Sequence, residues 1–264
     1  MRDPHVESLC YRLKTSETTT YENPPAVKVI RDEFECLLND GVLTCRMREH
    51  FSTVEEARRV VGDFLRSWEI KTALELGRGE MRFQFEDSHV IDRNPPPPGS
   101  SEFVHVSASG VVKFTGSAIL ELRITRSKYP GPPTFFTVTP DVETLWQRYS
   151  NYLDGKEPLL SMANFCLTLV ENKAGKKGKK GKRDSAADLF EIGKPILKML
   201  GNLTANRGDS MTARKVPEKG DLIPLSGKEI EWIKAAVKIL IRRTGELANI
   251  QTAKSITMND LPNI

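Results

Sequence analysis

The sequence predicts an α+β protein: an N-terminal antiparallel β-rich domain carrying one long helix, then a C-terminal four-helix bundle. Three observations carry this reading. Alternating apolar runs around an Asp-Gly step fill residues 27–50. Apolar residues recur at helical spacing over 54–68, and in longer stretches after 138. A Pro/Gly-rich stretch, Tyr129-Pro130-Gly131-Pro132-Pro133, separates the two regimes. The 264 residues are 39% hydrophobic and 28% charged, enough to bury a core in one large or two small domains at about 100–200 residues each. No stretch approaches the ~20 apolar residues that span a bilayer, and the opening Met1-Arg2-Asp3-Pro4-His5 lacks a secretory pattern. The expectation is a soluble cytoplasmic protein with no membrane partner.

In chain order, residues 1–26 are polar and without clear periodicity, and read as an extended lead-in. The α+β domain is expected over 27–133. Phe34–Leu38 and Val42–Met47 flank Asn39-Asp40-Gly41 as a hairpin, because Gly accepts the positive φ of a tight turn. Ser52 and Thr53, each with a Glu three residues on, are capping candidates for a helix. Its apolar stripe is Val54, Ala57, Val61, Phe64, Leu65 and Trp68. Residues 80–92 alternate with period two and predict a half-buried strand. Asn94-Pro95-Pro96-Pro97-Pro98 is a spacer loop, and two further strands are expected at Phe103–Val106 and Val111–Ile124.

The helical bundle is expected over 139–250. Thr139-Pro140 is a cap and first-position pair. Pro158 opens a second helix that is apolar almost all round, the mark of a central position. A third helix starts near Asp184, and Pro195 is expected to kink or split it. The fourth starts at Ser226, with Glu229 completing a capping box. Residues 251–264 read as a frayed tail. The four cysteines form no CxxC pair, so buried thiols are expected, with a Cys36–Cys45 pairing across the hairpin as the alternative.

Charge is the most informative feature. The formal net charge is +4, but Lys173–Arg183 (KAGKKGKKGKR) holds seven basic residues and no acid. Removing those seven positive charges turns +4 into −3 for the rest. Phosphate binding suits such a run, being carried by charge and sensitive to salt. No aromatic residue within it offers a base a stacking surface. A second basic group, Arg207, Arg214, Lys215 and Lys219, lies in the other long loop. The candidate nucleic-acid-binding residues are Lys173, Lys176, Lys177, Lys179, Lys180, Lys182, Arg183, Arg207, Arg214 and Lys215.

Several chemistries are missing. The lysine-glycine run lacks P-loop spacing, Gly77-Arg78-Gly79 lacks the third glycine of a dinucleotide fingerprint, and no GxSxG or HExxH occurs. No cofactor is expected. One alternative is a metal-dependent nuclease or hydrolase: Glu86, Asp87, His89 and Asp92 crowd a strand end, and Asp87 and His89 share a face. The other is a homodimeric scaffold joined through the apolar helices.

The stretch Leu189-Phe190-Glu191-Ile192-Gly193 to Leu203, then Arg207-Gly208, then the capped helix from Ser226 resembles HEPN-type helical domains of prokaryotic toxin and defence proteins. The resemblance covers the C-terminal region alone. Active members of that group cut RNA with an Arg followed four to six residues later by His. Here Arg214 is the seventh residue after Arg207, and no histidine follows His105. The resemblance therefore implies a helical domain without the ribonuclease site, and no catalytic residue is carried over. Taken together, the sequence points to a non-catalytic protein that binds RNA, DNA or another polyanion through basic loops, in prokaryotic defence by the same resemblance.

Overall fold

The structure, a computed structural model, describes residues 3–94, 124–175, 181–209, 213 and 223–264. The chain divides into two compact units, Met1–Pro132 and Pro133–Ile264. The boundary falls inside the Pro/Gly-rich stretch, where proline removes backbone donors.

Among the described residues, the first unit is a five-stranded antiparallel sheet with one long helix. Its strands are β1 (Pro4–Lys14), β3 (Val27–Ile30), β4 (Phe34–Asn39), β5 (Val42–Met47) and β6 (Arg82–Asp92), in the order β3-β4-β5-β1-β6. The short strands β2 (Thr19–Tyr21) and β7 (Ile124–Arg126) pair in parallel. The β4–β5 turn has Asp40 at φ 47° and Gly41 at φ 72°. Two successive positive φ values make the two-residue turn whose twist matches the flanking strands. The helix α1 (Val54–Leu76) is capped by Thr53, whose side chain accepts from the Glu56 N–H. It buries Ala57, Val61, Phe64, Leu65 and Trp68 against Leu9, Phe34, Leu38 and Leu43 of the sheet. Glu69 Oε1 accepts from the Phe83 N–H at 2.7 Å and fixes the helix to β6.

The expected lead-in is in fact the fourth of the five strands in sheet order. β1 pairs with β5 on one side and β6 on the other, and Val6, Leu9 and Tyr11 are buried. The register to β6 slips between Val6 and Ser8 and again between Cys10 and Tyr11. The first leaves Glu7 of β1 unpaired and shifts its alternation by one, which breaks the period-two signal between Val6 and Leu9, and the second leaves Glu86 of β6 unpaired. The expectation of free thiols at Cys36 and Cys45 is also corrected. They lie directly opposite one another on β4 and β5, with Cα atoms 4.1 Å apart, and form a disulfide. Cys10 and Cys166 are free. The proline loop at 95–101 and nearly all of the strands expected over 103–124 lie outside the described residues.

The second unit is helical: α2 (Pro140–Leu153), α3 (Leu159–Ala174), α4 (Lys182–Phe190), α5 (Lys194–Asn206) and α6 (Gly227–Gly245). Four helices were expected with a break at Pro195. The break divides the third into α4 and α5: Glu191 is left-handed at φ 49°, and Pro195 opens α5, where its missing N–H costs nothing. α3 packs against α2, α4, α5 and α6. That central place is what its nearly continuous apolar surface required. The tail is not frayed. Ile256 pairs with Ile192, and its carbonyl accepts from the Gly193 N–H at 2.7 Å. Ile256 and Leu261 are buried. No helix among the described residues is long and apolar enough to cross a membrane.

Candidate nucleic-acid interface

α3 ends at Ala174, and Gly175 turns the chain at φ 64° into the lysine-glycine loop. α4 begins at Lys182. The two feet of this loop are zipped together. Lys182 Nζ donates to Asn172 Oδ1 at 2.7 Å, and Arg183 Nε to Glu171 Oε1 at 2.6 Å. Lys173 forms an ion pair with Asp141 of α2. Arg183 also lies over Gly201 of α5, where an added Cβ would come within 2.8 Å of its guanidinium. Arg183 thus ties α3, α4 and α5 together, and its charge is met by Glu171.

Of the ten candidate residues, Lys173, Lys182, Arg183 and Arg207 are described; Lys176, Lys177, Lys179, Lys180, Arg214 and Lys215 lie outside the described residues. Arg207 ends α5 and donates from Nε to Glu229 Oε1 at 2.9 Å. Glu229 closes the capping box of α6: it accepts from the Ser226 N–H at 2.8 Å and donates its own N–H to Ser226 Oγ at 3.2 Å. These hydrogen bonds, the Ser226 backbone foremost, with Arg207 beside them, hold the Glu229 carboxyl below the ordinary glutamate range. A carboxyl lowered by folding adds stability above its unfolded pKa and withdraws it as pH falls through the folded value. Glu229→Gln is expected to cost about 1–2 kcal/mol at pH 7 and to weaken the acid loss of stability, read by thermal melts between pH 7 and pH 3. An unchanged acid limb would contradict this role.

The acidic-His group at 86–92 is divided among separate partners. Arg12 Nε reaches Glu86 Oε1 at 2.9 Å. His89 Nδ1 lies 2.6 Å from Glu7 Oε2. Asp87 Oδ1 accepts from the Ser88 N–H at 2.8 Å, and Asp92 Oδ1 from the Asp3 and Asn94 N–H groups at 3.0 Å. The buried His5 ring stacks on His50 with centroids 5.3 Å apart. Burial, with Arg93 and His50, lowers the His5 pKa. Among the described residues, no group of three or more His, Cys, Asp or Glu side chains is arranged to hold a metal ion.

The sequence reading missed a set of cations at the far end of α6, where Arg242, Arg243 and Lys254 line a cavity with Phe135. Arg242-Arg243 reads there as ordinary charge at a helix C-terminus, and Lys254 lies in the segment taken for a tail. Nothing short of the fold brings Phe135 to them. Comparison with known proteins returned no matching family model, curated protein or solved structure.

Proposed function

We propose that the protein is a non-catalytic polyanion-binding protein that holds the phosphate backbone of RNA with Lys176, Lys177, Lys179 and Lys180. The observation that carries this reading is the division of charge within the basic run. Its feet, Lys173 and Arg183, are ion-paired to acids of α2 and α3, and Lys182 is bound to an amide. Those groups serve the helical framework. The four lysines between them supply the whole of the chain's formal excess of +4. Interleaved with glycine, they suit contacts to successive phosphates that carry little sequence information. The HEPN-like layout without its histidine agrees with binding in place of cleavage.

The test is fluorescence anisotropy with a labelled single-stranded RNA. Changing Lys176, Lys177, Lys179 and Lys180 together to Ala is expected to weaken binding roughly tenfold or more at low salt without moving the melting temperature. Arg183→Gln is expected to lower the melting temperature and to leave RNA affinity nearly unchanged. Equal affinity of the quadruple variant and the unaltered chain would overturn the reading.

A further inference from the structure

Beside the end of α6 lies a cavity of about 510 Å³, within the ~300–1,000 Å³ range of small-molecule sites. Arg242, Arg243, Glu246, Asn249, Lys254 and Phe135 line it. Among the described residues, its lining holds three cations and one carboxylate, Glu246, while Glu191 and Asp260 act on the same cations from outside the lining. Glu246 is shared, lying 3.0 Å from Arg243 Nη1 and 3.8 Å from Arg242 Nε.

Arg243 is 3% exposed. Its Nη2 donates to the Lys254 carbonyl, which clamps the returning chain to the helix. Its Nε finds no hydrogen-bond acceptor among the described residues. Desolvation lowers its pKa, opposed by Glu246 and Glu191. Asp260 also faces Lys254 and Arg242; Thr257 donates to its carboxylate from N–H at 2.8 Å and from Oγ1 at 3.0 Å, which lowers its pKa and keeps it ionised. Arg242 and Lys254 are themselves open to solvent.

The aromatic wall is held in place. Phe136 is buried against Gly245, where an added Cβ would overlap its ring. The Thr137 N–H donates to the Gly245 carbonyl at 3.0 Å. This anchored backbone presents the neighbouring Phe135 ring 56% exposed. Asn249 Nδ2 lies 3.5 Å from the Phe135 carbonyl. Two solvent-exposed cations, Arg242 and Lys254, beside an exposed aromatic face match a phosphate monoester, which carries about −1.5 to −2 at pH 7, attached to a flat ring.

We propose that this cavity binds an aromatic phosphate monoester of the nucleoside 5′-monophosphate class, with its phosphate at Arg242 and Lys254 over the buried charge of Arg243 and its base on Phe135. The site shares no residue with the lysine run, so it stands whether or not that run binds RNA. A strand bearing a 5′-phosphate and a free mononucleotide present the same chemistry.

The test is calorimetry on the full chain with AMP, inorganic phosphate and adenosine, repeated with Lys176, Lys177, Lys179 and Lys180 changed to Ala. AMP is expected to bind both proteins equally, and at least tenfold more tightly than phosphate or adenosine. Phe135→Ala, Lys254→Gln and Arg242→Gln alter exposed side chains, and each is expected to weaken AMP about tenfold with an unchanged melt. Arg243 is left intact because its clamp is structural. In the protein with Lys176, Lys177, Lys179 and Lys180 changed to Ala, a 5′-phosphorylated oligonucleotide binding more tightly than AMP identifies a strand end as the source; AMP binding more tightly identifies the free nucleotide. No heat with millimolar AMP, equal binding of phosphate and AMP, or AMP affinity untouched in Phe135→Ala and Lys254→Gln would overturn the proposal.

Discussion

Replacing Trp68 by Ala is expected to cost the N-terminal unit about 3–5 kcal/mol. Trp68 is fully buried on α1, with ring centroids 5.7 Å from Phe64 and 5.4 Å from Phe83. Its Nε1 donates to the Pro130 carbonyl at 3.1 Å. The substitution removes the largest side chain between helix and sheet and leaves that carbonyl without its donor, and both losses act against folding. Domains of this size have a total stability of about 5–15 kcal/mol, so the helix–sheet unit is brought near its limit. Trp68→Phe keeps most of the packing and loses the hydrogen bond, and is expected to cost about 1–2 kcal/mol. Urea unfolding followed by near-ultraviolet circular dichroism separates the two. Equal midpoints for Trp68→Ala and the unaltered chain would show that α1 is not seated as described.

Opening the Cys36–Cys45 disulfide is expected to cost about 2–3 kcal/mol, a fall of roughly 10 °C in the melting temperature of a unit this size. The hairpin geometry explains the pairing. Asn39 and Val42 flank the two-residue turn, and Cys36 faces Cys45 three pairs further along. Hydrogen-bonded and non-hydrogen-bonded pairs alternate, which puts the cysteines at the second, closer kind of site. Both are fully buried, so the bond closes a short loop inside the core. Thiol titration of the unfolded, unreduced chain is expected to find two groups, Cys10 and Cys166. Finding four would contradict the pairing.

The sequence made some of this legible and hid the rest for identifiable reasons. α1 and α6 combine a cap with a long apolar stripe, so local chemistry and burial agree. The β4–β5 turn was readable because Asp40-Gly41 has one favoured geometry. β1 was not, because the extra residue Glu7 takes Val6 out of alternation with Leu9 and Tyr11. The C-terminal segment gave no signal because its anchoring rests on Ile256 pairing with Ile192 and on buried Leu261. At the candidate interface the positive run is plain in the chain. The pairing of its two ends is not, since the acids that meet Lys173 and Arg183 are Asp141 of α2 and Glu171 of α3. The group at 86–92 looked like a ligand set for the same reason in reverse: β1 supplies Glu7 and Arg12, which take up His89 and Glu86 separately.

Under the proposed function, four lysines confer polyanion binding while the cations beside them, Lys173 and Arg183, are ion-paired to the helices. The slope of RNA affinity against salt tests it most directly, because each phosphate neutralised releases counterions. For the unaltered chain the logarithm of affinity is expected to fall against the logarithm of salt with a slope of about −3, four contacts at ~0.7 each on a single strand. With Lys176, Lys177, Lys179 and Lys180 changed to Ala the slope is expected to approach zero, and with Arg183→Gln to stay near −3. The same slope in the quadruple variant and the unaltered chain would contradict the account.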